Sequence, residues 1–252
     1  MILQKFALYP YSEETTRLYM KTTDDVVTDK EKVELKTLAK VNLETYFNLF
    51  SCLKWKKYVG VESVYLRLKL NGIVKVKIDH LQVKDGDVER HGVLDEEIQS
   101  DASGYVTSNE FTLPEKGMLG VIIEAVSESV LYEVDFSTDQ TGMEENDICI
   151  GIGICTFKRE KYVERNMNLL KEGILNNPAA EAYEHIKICI SDNAGTLEPE
   201  KIENPEIHVV KNKNLGGVGG FTRTMLEYLN GEEKISHVLL MDDDAIILPE
   251  TI

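Results

Sequence analysis

The hydrophobic pattern of this 252-residue chain changes character near residue 147, and this change constrains the fold more than any other feature. Before it, apolar and polar residues alternate with a period of two, which is typical of β-strands with one buried face. After it, nearly continuous apolar runs such as ICIGIGICTF alternate with segments of helical periodicity. Continuous runs indicate parallel strands that are buried on both faces. The short polar segment TGMEEND separates the two patterns, which predicts two domains, at 1–145 and 148–252.

The first region predicts an antiparallel β-sandwich of the jelly-roll type, because several short strands follow one another with turn signals between them. In VESVYLRLKLNGIVKVKIDH the apolar residues expected on the buried face are Val64, Leu66, Leu68, Leu70, Val74, Val76 and Ile78. Asn71-Gly72 in the middle predicts a hairpin. A two-residue turn would mix the two faces, so we expect a three-residue loop through Ile73 with Gly72 in a left-handed conformation.

The second region reads as β-α-β-β-α-β, which predicts a doubly wound, mostly parallel sheet with helices on its faces. Its first helix, KYVERNMNLLKEGILNN, is expected to bury Val163, Met167, Leu170 and Ile174. The whole chain is therefore predicted to be an α+β protein of two domains.

Charge and composition narrow the classes of function. The net charge of -16 argues against a general nucleic-acid binder, which normally carries a basic face. The four cysteines, Cys52, Cys149, Cys155 and Cys189, have neither CxxC nor metal-site spacing, so we expect reduced thiols. No run of apolar residues reaches the length of a membrane span, and no basic start precedes an apolar segment. We expect a soluble, intracellular protein.

Polar motifs follow every strand of the second region: TFKRE, SDNAG, NKNLGGVGG and DDDA. Because ligands of open α/β sheets bind where the carboxyl ends of the strands meet, these four loops predict one site.

The glycine-rich loop matches neither the dinucleotide pattern GxGxxG nor the Walker pattern. Its backbone N–H groups at a helix start suit a diphosphate, although small residues for close helix packing explain the same pattern.

Two further loops each have a functional and a structural interpretation. Arg159 could reach a base or a phosphate from the end of the first strand, whereas Lys158 fits an ordinary basic loop. Asp192 and Asn193 could hydrogen-bond a base or a ribose, and an Asx turn is the ordinary alternative.

The acidic triplet favours a metal site. Side chains alternate at a strand end, so Asp242 and Asp244 can converge on one divalent cation while Asp243 faces elsewhere. A solvated turn could also hold three aspartates, but it would not require the apolar run VLLM before it.

In combination, CTFKR, SDN, N-x-GG-x-GG and DDD resemble the motifs of family-2 glycosyltransferases of the GT-A type, with DDD as the counterpart of their DxD motif. The similarity is greater to bacterial galactofuranosyltransferases that extend cell-wall galactan and have a β-sandwich before the GT-A domain. The segment TYFNLFSCLKWKKYVGVESVYLRL resembles a part of that sandwich. The second domain would then be the nucleotide-binding, Rossmann-like half of a GT-A domain.

This resemblance implies a metal-dependent, inverting transfer of a sugar, galactofuranose in the nearest relatives, from a UDP-sugar donor to a glycan or lipid-linked glycan acceptor. The residues that it assigns to the nucleotide-sugar are Thr156, Arg159, Asp192, Asn193, Asn214, Gly217 and Asp243. It assigns Mn²⁺ or Mg²⁺ to Asp242 and Asp244. The catalytic base is expected downstream of Ile252, so the 252 residues would be an inactive fragment of the enzyme.

We expect a cytoplasmic location, with attachment to the inner face of the membrane as one option. VLLMDDDAIIL would be a central strand of a complete GT-A sheet, so an unpaired edge there also predicts association into a homo-oligomer. The main alternative is a non-catalytic protein that binds a nucleotide-sugar or a carbohydrate, with Tyr46, Trp55 and Tyr58 able to stack on sugar rings. We expect most of these aromatic side chains to belong to the core instead. A nucleotidyltransferase is a weaker alternative, because its glycine-rich loop would be expected where TFKRE stands.

Overall fold

The computed structural model describes residues 1–8, 15–29, 31–141, 147–247, 249 and 252, with the backbone only at 101–103. This part of the chain divides into two compact units, Met1–Glu144 and Glu145–Ile252. Most of the predicted linker TGMEEND, at 142–146, lies outside the described residues.

The first unit is an antiparallel β-structure. Its strands are β1 (Ile2–Lys5), β2 (Lys21–Thr22), β3 (Val26–Thr28), β4 (Val33–Leu35), β5 (Lys40–Asn42), β6 (Phe50–Ser51), β7 (Ser63–Lys84), β8 (Asp87–Thr107), β9 (Phe111–Thr112), β10 (Met118–Ala125) and β11 (Ser129–Ser137). The strands hydrogen-bond in the order β2-β5-β10-β7-β11-β4-β3, with β1 on β11, β6 on β10, and β8 and β9 on β7. Two short helices, α1 (Thr16–Tyr19) and α2 (Cys52–Lys54), and a π-helical turn (Trp55–Val59) lie between strands.

The predicted hairpin at Asn71-Gly72 is wrong, because β7 runs through it as one strand of 22 residues. On one edge β7 pairs with β8 along most of its length. On the other edge it pairs with β11 up to Asn71 and with β10 from Val74 onward. Gly72 does have the positive φ expected for it, at 117°. The buried positions from 64 to 78 are all even-numbered, which one continuous strand satisfies without any turn.

The apolar face that the sequence predicts in β7 is confirmed, since Val64, Leu66, Leu68, Leu70, Val74, Val76 and Ile78 are fully buried. These side chains belong to one core, to which the other strands add residues such as Phe50 and Phe136, whose rings lie 4.6 Å apart. The antiparallel β-sandwich predicted for this region is therefore confirmed.

The aromatic residues considered for sugar stacking fall into two groups. Trp55 packs on the core, with its ring stacked on that of Phe50 at 5.7 Å. Tyr46 and Tyr58 are 80% and 72% exposed, so the expectation that most of these side chains belong to the core holds for Trp55 only.

The second unit alternates strands and helices. Its elements are β12 (Ile150–Thr156), α3 (Glu160–Leu170), a π-helical turn (Lys171–Leu175), β13 (Ile186–Asp192), α4 (Pro199–Ile202), β14 (Ile207–Lys211), α5 (Gly216–Asn230) and β15 (His237–Asp242). The strands are parallel and hydrogen-bond in the order β14-β13-β12-β15.

Helices cover both faces of this sheet. Ile152 and Ile154 of β12 belong to the core that contains Val163 and Met167 of α3. Successive strand residues point to opposite faces, and on the other face the α-carbons of Gly151 and Gly153 lie against Tyr228 and Thr224 of α5. The predicted buried face of α3 and the turn after it is confirmed: Val163, Met167, Leu170 and Ile174 are at most 2% exposed.

All four cysteines are free thiols in the part of the chain that the structure describes. Burial raises the pKa of Cys52 and of Cys189 to about 12, so both remain protonated at neutral pH. Among the described residues, no helix combines the length and the hydropathy needed to cross a membrane.

Candidate functional site

The strand ends of the second unit bring the predicted site residues to one edge of the sheet. Thr156 at the end of β12 is paired in register with Asp192 at the end of β13, and Cys155 is paired with Asp242 at the end of β15. Because the strands are parallel, the loops that follow them leave the sheet on the same side.

The acidic triplet divides into one buried and two exposed carboxylates. Asp243 is 7% exposed, and its Oδ2 accepts a 2.7 Å hydrogen bond from the hydroxyl of Thr156, which is itself 2% exposed. Asp242 and Asp244 on either side are exposed to solvent. The alternation of side chains thus directs the outer two carboxylates to solvent and the middle one into the protein.

A positive charge lies on this triplet. The Arg159 guanidinium forms ion pairs with the carboxylates of Asp244 and, at 3.4 Å, of Asp243. The hydrogen bond to Asp244 and the neighbouring negative charges raise the pKa of Arg159, which therefore stays fully charged. Arg159 directly precedes α3, so the turn after β12 places it over the end of β15.

Two residues of α3 that the sequence analysis did not identify hold the backbone of residues 242–245, the acidic loop. The Asn166 amide donates hydrogen bonds to the carbonyl oxygens of Asp243 and Ala245, at 3.0 and 3.1 Å. Arg165 donates a 2.8 Å hydrogen bond to the carbonyl oxygen of Ala245. A signal was present in the sequence: position 166 falls on the buried helical face, where a polar side chain needs a partner.

Asp192 organises its own loop. Its Oδ1 accepts hydrogen bonds from the backbone N–H groups of Ala194 and Gly195, at 3.0 and 2.8 Å, and its Oδ2 accepts one from Leu197 at 2.9 Å. This is the Asx-type arrangement considered as the alternative interpretation. Both acceptor positions of Oδ1 are filled and Asp192 is only 1% exposed, so this carboxylate holds its own loop.

Asn193 connects two loops rather than pointing into solvent. Its amide donates to the carbonyl oxygen of Gly216 at 3.2 Å, and its Oδ1 accepts from the amide of Asn212 at 3.0 Å. Both partners belong to the glycine-rich loop or to its start, so Asn193 holds that loop at the edge of the sheet.

The glycine-rich loop begins α5. The Asn214 side chain is exposed and accepts a 3.2 Å hydrogen bond from the N–H of Gly216, whose φ is 72°. Gly217 is exposed, and a Cβ there would make only an ordinary contact with the ring of Phe221, at 4.0 Å. The first N–H groups of this 15-residue helix have no partner within the helix and can bind an anion.

The same helix also supports the packing interpretation of the glycines. A Cβ at Gly220 would lie 2.8 Å from Cβ of Cys155, and one at Gly151 would lie 2.7 Å from the ring of Tyr228. The loop therefore combines exposed glycines at 216 and 217 with a buried glycine that lets α5 approach β12 closely.

The donor set of the triplet fits a hard divalent cation only in part. Asp242 and Asp244 present exposed carboxylates, and Mg²⁺ is commonly held by one or two carboxylates together with phosphate oxygens and water. Within the described residues, no three His, Cys, Asp or Glu side chains are grouped to hold a metal. Asp242 and Asp244 can thus supply two of the oxygen ligands that such a cation needs.

Comparison with known proteins points to one class of enzyme for the N-terminal region. The family model described as "Galactofuranosyltransferase 2 N-terminal" matches residues 4–121. The galactofuranosyltransferase GlfT2 of Mycobacterium tuberculosis (strain ATCC 25618 / H37Rv) is 23% identical over 240 residues, covering 85% of this chain and 34% of the relative. GlfT2 of Mycolicibacterium smegmatis is 21% identical over 227 residues, covering 88% and 35%. The N-terminal region thus resembles that of a galactofuranosyltransferase, and the chain spans about a third of the length of these relatives.

Among solved structures, the CBM22-1–GH10 modules of a Clostridium thermocellum xylanase in complex with xylohexaose match at a TM-score of 0.30 and 12% identity, over 69% of this chain and 34% of that one. The C-terminal CBM6 of LamC from Zobellia galactanivorans matches at 0.28 and 10%, over 49% and 94%.

Proposed function

We propose that this chain is the donor-binding part of a metal-dependent, inverting galactofuranosyltransferase and that it binds a UDP-sugar at the carboxyl edge of the parallel sheet. The observation that carries the proposal is the placement of Arg159 on Asp243 and Asp244, at the edge where α5 begins. The similarity to GlfT2, a galactofuranosyltransferase, supports the same class of reaction. The second unit would then be the nucleotide-binding half of a GT-A domain.

The diphosphate of the donor needs positive partners, and two are near the strand ends. The N–H of Gly216 already donates to Asn214, whereas the next N–H groups at the start of α5, from Gly217 onward, can bind phosphate oxygens. The Arg159 guanidinium can donate to the base or to a phosphate. In this proposal Thr156, Asp192 and Asn193 act on the nucleotide mainly by shaping the loops around it, because their polar atoms already have partners.

Asp242 and Asp244 would hold Mn²⁺ or Mg²⁺, and Asp243 would hold the loop between them through Thr156. When bound, the metal ion would neutralise the negative charge that develops on the departing UDP. The acceptor would be a cell-wall or surface glycan, free or lipid-linked, and its hydroxyl would need a general base. None of the residues placed at this site is assigned that role.

Calorimetry with UDP, UDP-galactofuranose and ADP, with and without Mn²⁺, tests the proposal. We expect UDP to bind more tightly than ADP and Mn²⁺ to strengthen UDP binding. Arg159→Ala should weaken UDP binding, whereas Lys201→Ala, which removes an exposed charge paired with Glu198, should not. Equal affinity for UDP and ADP, or no effect of Mn²⁺, would contradict a metal-dependent uridine site.

Glycan binding by the first unit is a second candidate, favoured by the exposure of Tyr46 and Tyr58. Exposed aromatic rings offer flat apolar surfaces, and Tyr46 is held edge-on by Phe47 at 5.1 Å between ring centroids. Titration with galactan oligosaccharides should give a signal that Tyr46→Ala and Tyr58→Ala remove. Leu229→Ala, at an exposed apolar position of the second unit, is the control. Unchanged binding in both variants would reject the candidate.

A further inference from the structure

Asn166 is a polar side chain in an apolar environment. It is fully buried on the face of α3 that also buries Val163, Met167 and Leu170. A buried amide without hydrogen bonds costs free energy, so a residue of this type at this position needs specific partners.

Those partners are in the acidic loop. The two hydrogens of the Asn166 amide are donated to the carbonyl oxygens of Asp243 and Ala245, at 3.0 and 3.1 Å. The carbonyl oxygens are two residues apart, so one amide fixes the direction of the backbone across Asp244. The loop is tightened further by a 3.3 Å hydrogen bond from the N–H of Ala245 to the carbonyl oxygen of Asp242.

Arg165 fixes the orientation of this amide. Its Nε and one of its terminal nitrogens donate to Oδ1 of Asn166, at 3.1 and 3.0 Å. A guanidinium has donors only, so the oxygen of the amide must face Arg165 and the nitrogen must face the loop. The same terminal nitrogen of Arg165 donates to the carbonyl oxygen of Ala245 at 2.8 Å.

We propose that Asn166, oriented by Arg165, is a positioning residue that sets the spacing of the Asp242 and Asp244 carboxylates and thereby the affinity for UDP together with a divalent cation. This inference rests on the proposed function. Thr156 holds the side chain of Asp243, and Asn166 holds the backbone on either side of it. Without the amide, the carbonyl oxygen of Asp243 loses its donor and that of Ala245 keeps only Arg165, so the backbone between them is held less tightly.

The test compares UDP affinity with and without Mn²⁺ in the whole chain. Asn166→Leu keeps the volume of the side chain and removes the donors. Arg165→Met removes the guanidinium from an exposed position and keeps an aliphatic stem. Leu170→Val, at a buried position of the same helix, is the control for a general loss of packing.

We expect the strengthening of UDP binding by Mn²⁺ to fall roughly tenfold or more in Asn166→Leu, as for other groups that orient metal ligands, and less in Arg165→Met. UDP affinity measured without Mn²⁺ should stay the same in both variants. A general structural defect would weaken UDP binding without Mn²⁺ as well. Hydrogen exchange without any ligand should speed up at residues 243–245 in both variants and stay unchanged there in Leu170→Val.

The outcomes separate the two proposals. Wild-type protein without Mn²⁺-dependent UDP binding overturns the proposed function and this role with it. Wild-type protein with such binding, and variants equal to it, overturns the role of Asn166 alone. If Asn166→Leu does not fold, Arg165→Met decides, and its equality with the wild type counts against the proposal.

Discussion

The hydroxyl of Thr156 donates a 2.7 Å hydrogen bond to the carboxylate of Asp243, across the adjacent strands β12 and β15. Both side chains are buried, although a carboxylate inside a protein is costly without partners. This bond gives the middle aspartate of the triplet a structural role and leaves its two neighbours exposed to solvent.

Thr156→Val should destabilise the second unit by about 1–3 kcal/mol, because it leaves a buried carboxylate oxygen without its donor while keeping the shape of the side chain. Urea unfolding followed by circular dichroism measures the change. Thr156→Ser, which retains the hydroxyl, is the control and should lose less stability. Equal losses in the two variants would mean that the methyl group, and not the hydrogen bond, matters.

The three aspartates should respond differently to neutralisation. Asp242→Asn and Asp244→Asn should abolish the effect of Mn²⁺ on UDP binding and leave the midpoint of urea unfolding almost unchanged, since both side chains are exposed. Asp243→Asn should lower that midpoint, because the buried group faces Thr156 and Arg159. Calorimetry and urea unfolding of the three variants check this, and a metal effect lost only in Asp243→Asn would refute the assignment.

Gly72→Ala should destabilise the first unit strongly. The φ of 117° is unfavourable for a side chain, and a Cβ there would lie 2.8 Å from the carbonyl oxygen of Glu128 and from Cα of Ser129. Gly104→Ala on β8, where a Cβ would meet open space, is the matched control. Thermal unfolding should separate the two variants, and similar melting temperatures would show that the connection between β10 and β11 adapts to the extra methyl group.

Gly220→Ala should destabilise the second unit although alanine normally favours a helix by about 1 kcal/mol over glycine. The new Cβ would collide with the side chain of Cys155, at 2.8 Å from its Cβ, and would force α5 away from β12. At Gly217 in the same helix a Cβ would make only an ordinary 4.0 Å contact with Phe221, so Gly217→Ala should keep the stability of the wild type. Urea unfolding distinguishes them, and a stable Gly220→Ala protein would contradict the close packing.

The first unit should lose stability in acid through Asp79. Burial alone would raise the pKa of this carboxyl, but hydrogen bonds and charges from Arg90 and Lys77 outweigh burial and hold the pKa below its ordinary value. A pKa lower in the folded than in the unfolded state stabilises the fold above about pH 4, and this contribution is lost as the pH falls further.

Urea midpoints measured from about pH 5 down to about pH 3 should therefore fall less steeply in Asp79→Asn than in the wild type. Asp95→Asn, which removes an exposed partner of Lys75, should keep the wild-type slope. An unchanged slope in Asp79→Asn would assign the acid sensitivity to other carboxylates.

The sequence by itself determined which residues are buried within each element. The even-numbered apolar residues of β7 and the helical spacing from Val163 to Ile174 identify the buried faces, because side-chain direction repeats with a fixed period in a strand or a helix. It also predicted that polar loops come after the strands of the second region. Because those strands are parallel, the loops lie at one edge of the sheet.

Tertiary structure alone decided what these elements contact. The chain does not turn at Asn71-Gly72 but continues as one strand, because β10 and β11 supply the hydrogen-bonding partners that the two arms of a hairpin would otherwise give each other. The bond between Thr156 and Asp243 joins residues 87 positions apart, and that between Asn166 and Asp243 joins residues 77 positions apart. Both depend on β15 lying beside β12 and on the path of α3 past the end of β15. Hydrophobic periodicity indicates which face of one segment is buried. Contacts between residues that are distant in sequence depend on the order of the strands in the sheet, which no single segment determines.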